Sequence, residues 1–140
     1  MIILDTCVVA EALTPGRDPA LIEWLDRQSA ETLYLTATSL SELLMGVNEI
    51  ADGKRKNQIR SALDLLIDRL FSSRILPFDH LAALSYCSLL NAAKSGGTDV
   101  TNAVATIAAV ASVHGFVVAT RDCASFESLG VQTTNPWTAG

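Results

Sequence analysis

The chain opens with MIILDTCVV (residues 1–9), and the reading of that stretch decides the fold. Met1, Ile2, Ile3 and Leu4 make one apolar run, the mark of a short buried strand. Asp5 follows at once, and Val8 and Val9 resume the apolar pattern. A carboxylate at such a place is costly unless it is paired or holds a metal. The rest of the chain has to supply the layers that bury the strand and the partner that justifies Asp5.

Working outward, helical and extended stretches alternate. A first helix is predicted over about Thr6 to Leu13, stopping at TPGRDP (14–19). Asp18 before Pro19 is an N-cap with proline at the first helical position, and ALIEWLDRQ (20–28) continues with helical spacing. TLYLT (32–36) reads as the second strand and SLSELLMGVNEI (39–50) as a helix. From Lys54, KRKNQIRSALDLLIDRLF (54–71) repeats apolar residues at Ile59, Leu63, Leu66, Ile67 and Leu70, the period of an amphipathic helix. RILPF (74–78) is the third strand, and Asp79 caps HLAALSYCSLLNAAK (80–94), which stops at Gly96 and Gly97. VTNAVATIAAVASVHG (100–115) is the next helix, with Gly115 in the C′ place. FVVAT (116–120), a short helix around CASFESLG (123–130) and a last strand VQTTN (131–135) complete the order. Strands separated by helices imply an α/β fold in three layers: a mostly parallel central sheet of about five strands, flanked by helices on both faces. The expected extent is a single domain over residues 1–140.

Composition narrows the class. A chain of 140 residues can bury a full core. Apolar residues make 49% and aromatic ones only 6%, so that core is built from Ala, Val, Ile and Leu. Charged residues make 18%, which leaves much of each helix to be covered, some of it by a partner. No apolar run reaches the roughly 18 residues of a membrane span, and no basic leader precedes Ile2, so neither a membrane anchor nor a signal peptide is expected. Cys7, Cys87 and Cys123 are odd in number and far apart, which points to a reducing cytoplasm and away from a disulfide framework or zinc site. A net charge of −5 disfavours broad electrostatic binding of nucleic acid and suits a basic protein partner or a cluster of acids awaiting a cation.

Ligand sites in sheets of this kind lie beyond the carboxyl ends of the strands. Asp5 ends the first strand, Glu42 follows the second, Asp122 lies just past the fourth, and Asp99 stands in the turn before the 100–115 helix. Two carboxylates ~4 Å apart repel by about 4 kcal/mol at an effective dielectric near 20, so several gathered together call for a divalent ion. An all-oxygen site suits Mg²⁺ or Mn²⁺, which can polarise a phosphoryl oxygen and activate a bound water.

At these residues the chain resembles a PIN domain, and more narrowly the VapC/FitB toxins of bacterial toxin–antitoxin pairs. The likeness is carried by MIILDTCVV, TLYLTATSLSELLMGV (32–47), RILPFD (74–79), ATRDCASFESLGV (119–131) and NPW (135–137), in the family's order and nearly end to end. The resemblance implies a Mg²⁺- or Mn²⁺-dependent endoribonuclease, usually a homodimer, inhibited by a basic antitoxin of the VapB/FitA kind whose tail enters an acidic groove. It assigns Asp5 in LDT, Glu42 in SEL and Asp122 in TRD as family acids. The third family acid begins a pattern like D-x-x-I-A-A-x-A-x-x-H-G; here VATIAAVASVHG (104–115) puts Val104 in its place. Cys7 likewise stands where the family has Asn. On a regular helix Asp99 points roughly 140° away from position 104, and Asn102 lies about 200° round. Val100, Val104, Ile107 and Ala111 form an apolar stripe, so Val104 reads as core.

Each candidate also has a plainer reading. Asp5 and Asp122 would cap the helices they precede, and Asp99 would cap the helix after it. Ser39-Leu40-Ser41-Glu42 matches a capping box, in which Glu42 bonds back to the backbone of Ser39. Thr6 and Thr120 flank two of the acids, either to support a ligand carboxylate or metal-bound water or as ordinary strand-end threonines. Lys54, Arg55 and Lys56, with Arg60, are the one dense basic cluster: a solvated helix start, or a contact for RNA phosphate along with Arg17, Lys94 and Arg121. His114 suits a helix C-terminus, and with His80 remote a histidine nuclease is not expected. Cys7 and Cys123 are expected to be inert packing. The leading reading is a metal-dependent endoribonuclease toxin acting through Asp5, Glu42 and Asp122. The alternative is a catalytically weakened PIN-fold module that binds antitoxin or RNA. Other phosphotransfer enzymes are disfavoured, because neither G-x-x-x-x-G-K-[ST] nor G-x-G-x-x-G occurs.

Overall fold

The computed structural model describes residues 1–139; Gly140 lies outside the described residues. The elements are β1 (Ile2–Leu4), α1 (Thr6–Ala12), α2 (Pro19–Asp26), β2 (Leu33–Thr36), α3 (Ala37–Asn48), α4 (Lys54–Leu65), β3 (Ile75–Leu76), α5 (His80–Ser95), α6 (Asn102–His114), β4 (Val117–Ala119), α7 (Cys123–Glu127) and β5 (Thr133–Thr134). The five strands form one sheet in the order β3-β2-β1-β4-β5, every pair parallel. The opening stretch therefore occupies the centre, with Ile2, Ile3 and Leu4 in register with Val117, Val118 and Ala119.

The two faces of β1 explain why its apolar run is unbroken. Successive side chains point to opposite faces of a strand. Ile3 and Val118 pack with Ile107, Ala108 and Ala111 of α6 and with Phe126 of α7. Leu4 and Ala119 pack on the other side with Val8, Leu21, Leu43, Leu63 and Phe71. The sheet is thus covered on both faces, as parallel sheets are. The small residues of α6 let that helix lie close against the strands: Ala108 and Ala109 are fully buried. No helix among the described residues is long and apolar enough to cross a membrane.

Several expected boundaries hold. Asp18 caps α2 with Pro19 at its start, and Asp79 caps α5, its side chain accepting from Ala82 N. Gly115 ends α6 in the left-handed conformation (φ 69°) that glycine adopts freely. Others move. The predicted capping box at Ser39 does not form: α3 begins one turn earlier, capped by Thr36, and Ser39 is buried within it. Helix α6 starts at Asn102 and its cap is Thr101, so Asp99 caps nothing. The helix expected to run unbroken to Phe71 widens after Leu65 into a π-helical turn, Leu66–Phe71. That turn ends on a fully buried Phe71, and Arg74 holds it by donating to the carbonyls of Leu33 and Leu70.

Candidate functional site

The order of the strands reverses at β1: β2 lies on one side of it and β4 on the other. A crevice opens at the carboxyl ends of strands at such a point. Asp5 and Thr120 are the residues that leave β1 and β4 there, and Asp5 N donates to the Ala119 carbonyl at 2.9 Å.

From this crevice a continuous line of hydrogen bonds joins three of the expected acids. Asp5 caps α1, its Oδ1 accepting from Thr6 N at 2.8 Å. The Thr6 hydroxyl donates to Glu42 Oε1 at 2.7 Å. On the other side the Thr120 hydroxyl donates to Asp5 Oδ2 at 2.7 Å and accepts from Asp122 N at 3.0 Å. The line runs Glu42–Thr6–Asp5–Thr120–Asp122. Thr120 is fully buried, Asp5 and Thr6 are half-buried, and Glu42 and Asp122 are exposed. The capping reading of Asp5 holds through Oδ1, while its Oδ2 faces the Thr120 hydroxyl. Asp122 caps α7 through Oδ1, accepting from Ser125 N at 3.3 Å.

The remaining candidates fall elsewhere. Asp99 is exposed in the link before α6, and among the described residues no hydrogen bond or ion pair ties it to the other acids. Val104 is partly buried against the α6-side core, as the apolar stripe implied. Asn102, at the start of α6, accepts from the Tyr86 hydroxyl at 2.6 Å. Lys56 is tied to Asp52 and to the Asn48 carbonyl. Lys54 and Arg55 are exposed. Arg55 borders a groove of about 390 Å³ that starts at Thr6 and Glu42 and continues over Leu43, Val47 and Ile59.

Cys7 points its thiol at Asp5 Oδ2 (3.7 Å), and burial pushes that thiol above its ordinary range. The site side of α1 also carries a residue that sequence reasoning missed. Glu11 Oε2 accepts from Arg121 Nη2 at 2.9 Å and from Trp137 Nε1 at 3.1 Å, and Arg121 stacks on the Trp137 ring at 3.9 Å. Glu11 Oε1 accepts from Asp18 N. The Trp137 N–H, then the Asp18 N–H and the Arg121 charge, hold the Glu11 carboxyl below its ordinary value. A lone acid on an otherwise apolar α1 was the available signal.

These residues fit a hard cation in kind. Glu42 Oε2 and Asp122 Oδ2 make no hydrogen bond among the described residues, and every donor is a carboxylate oxygen. As the side chains stand, no three acids, histidines or cysteines among the described residues lie close enough to hold an ion together.

The PIN domain family model matches residues 2–130. The chain belongs to the PIN-domain family. Within it the chain sides with toxins of the VapC/FitB type. It is 41% identical over 137 residues to VapC ribonuclease Y4jK of Sinorhizobium fredii (strain NBRC 101917 / NGR234), covering 98% of both chains. It is equally identical, over the same length, to Toxin FitB of Neisseria gonorrhoeae (strain ATCC 700825 / FA 1090), covering 98% of this chain and 99% of FitB. A solved structure of FitAB bound to an IR36 DNA fragment superposes with a TM-score of 0.94 at 38% identity, covering 100% of this chain and 98% of that one. The all-parallel five-stranded sheet is thus the PIN sheet, and the line of acids lies at its carboxyl edge.

Proposed function

We propose that this chain is the ribonuclease toxin of a type II toxin–antitoxin pair, hydrolysing RNA phosphodiesters with a divalent ion, Mg²⁺ or Mn²⁺, held by Asp5, Glu42 and Asp122. The observation that carries the reading is the line Glu42–Thr6–Asp5–Thr120–Asp122, in which two threonines, through their hydroxyls and the Thr6 N–H, link three acidic residues remote in sequence at one edge of a PIN sheet, Asp122 by its backbone N–H. When bound, such an ion supplies polarisation of a phosphoryl oxygen and an activated water. Thr120 orients Asp5 and ties it to the backbone of Asp122, while Thr6 orients Glu42. Such outer partners fix a ligand's direction before the ion arrives. Asp99 is left out of the ligand set, since it shares no bonded neighbour with the others. Arg55 offers a cation to RNA phosphates at the border of the groove, with Lys54 and the more constrained Lys56 beside it in sequence.

The partners follow from the same surfaces. The groove's apolar wall (Leu43, Val47, Ile59) and its acidic mouth suit a segment of a basic antitoxin. On the opposite layer, Leu81 and Leu84 of α5 are 50% and 68% exposed beside Phe78. We assign that face to a homodimer contact.

One observation favours a second reading. Val104 puts a methyl-bearing side chain where the family has an acid, and it packs against the core. On that reading the chain binds RNA or antitoxin and cleaves poorly. The deciding assay incubates the purified chain with structured RNA and Mn²⁺. Cleavage by the native chain, abolished by EDTA and lowered at least a hundredfold by Asp5→Asn, is the expected outcome. Cleavage gained only in Val104→Asp would establish the binding module instead.

A further inference from the structure

Three parts of the chain meet beside the site without belonging to its line of acids: Glu11 on α1, Arg121 between β4 and α7, and Trp137 after β5. We propose that Glu11, Arg121 and Trp137 form a clamp that positions Asp122, making them positioning residues for metal uptake and cleavage. Its role in chemistry rests on the function proposed above; the clamp itself stands on geometry alone.

Helix α1 grips the 120–122 segment at two points. At its start Asp5 Oδ2 takes the Thr120 hydroxyl at 2.7 Å; near its end Glu11 Oε2 takes Arg121 Nη2 at 2.9 Å. Six residues of helix separate the two holds, about 9 Å of rise. One hold alone leaves the segment free to pivot; two fix both its distance from α1 and its rotation. Asp122 follows directly, its N–H bound to Thr120 and its carboxylate turned to Ser125 N. Trp137 closes the clamp. Its ring lies under the guanidinium at 3.9 Å while its N–H binds the same Glu11 oxygen. The ring is itself set by its backbone, since Trp137 N donates to Asn135 Oδ1 at 3.0 Å. This gives the NPW motif (135–137) a task at the site.

A free cation beside the acids would instead suggest a phosphate contact for Arg121. Its guanidinium is already paired with Glu11 and stacked on Trp137, which are the contacts of a residue held in place. Lysine carries the charge without the planar fork, so Arg121→Lys separates the two roles. Glu11→Gln is nearly isosteric but turns one accepting oxygen into a donor. It therefore cannot keep the Asp18 side and the Arg121–Trp137 side together.

The test follows amide hydrogen exchange by NMR on the full chain in Glu11→Gln and Arg121→Lys. The amides of Asp122 and Ser125 should exchange about tenfold faster, with α5 amides unchanged. Mn²⁺ affinity by calorimetry should fall roughly tenfold, the scale of lost outer-shell support, and kcat should fall while KM for RNA holds. Native exchange at Asp122 and Ser125 in both variants overturns the clamp, whatever happens to Tm. A raised KM with native exchange also overturns it and makes Arg121 a phosphate contact. If the native chain takes up no Mn²⁺, the metal reading fails while exchange still decides the clamp. Should either variant fail to fold, Trp137→Phe removes the N–H bond to Glu11 while keeping a smaller aromatic face for Arg121, and is read the same way.

Discussion

Thr120 is the residue on which the site turns. Its buried hydroxyl donates to Asp5 and accepts from the Asp122 backbone, so one oxygen joins the ends of β1 and β4. Thr120→Val keeps the shape and removes both bonds. It should lower unfolding stability by about 1–3 kcal/mol, as a buried partner is lost, and urea titration measures that directly. Cleavage should fall further than stability accounts for, since Asp5 loses its orientation. At this scale the sequence was partly readable. Asp5, Thr6, Thr120 and Asp122 stood out because acids and hydroxyls follow apolar runs at strand ends, and Glu42 because it lies in the helix that follows the second strand. Glu11 did not, because its partners lie 110 and 126 positions away and no local pattern joins them.

Among the elements, α6 shows how a cap sets function as well as length. Thr101 accepts from Val104 N at 3.2 Å and starts the helix at Asn102. That start leaves Asp99 in the exposed link and turns Val104 toward the core. Thr101→Ala should cost about 1 kcal/mol, measured by thermal unfolding, and should leave the Glu42–Thr6–Asp5 bonds intact. The α-helices and strands were legible, because the apolar period differs between the buried strands and α4 or α5. The ends were less so. Ser39 looked like a cap on the strength of Glu42 three residues on, yet Thr36, emerging from β2, was placed to cap first. The π-helical turn at Leu66–Phe71 was invisible for a related reason. Its apolar residues fit a 3.6-residue period, and only the burial of Phe71 and the bonds of Arg74 favour the wider turn.

Across the whole molecule, alternation of strand and helix announced a parallel sheet, but not the order β3-β2-β1-β4-β5, which depends on which helices share a face. The same packing leaves the Leu81–Leu84 side of α5 uncovered. Leu84→Glu should convert a homodimer to a monomer in light scattering, with Mn²⁺ uptake per chain unchanged. The central place of β1 has a consequence in time. β1 precedes both of its neighbours in the chain, and its β4 side stays open until Thr120, 115 positions downstream of Asp5, has been made. A nascent polypeptide cannot join Asp5 to Thr120 before β4 has been made. On the function proposed above, the acid site is complete only once β4 and Asp122 have been synthesised.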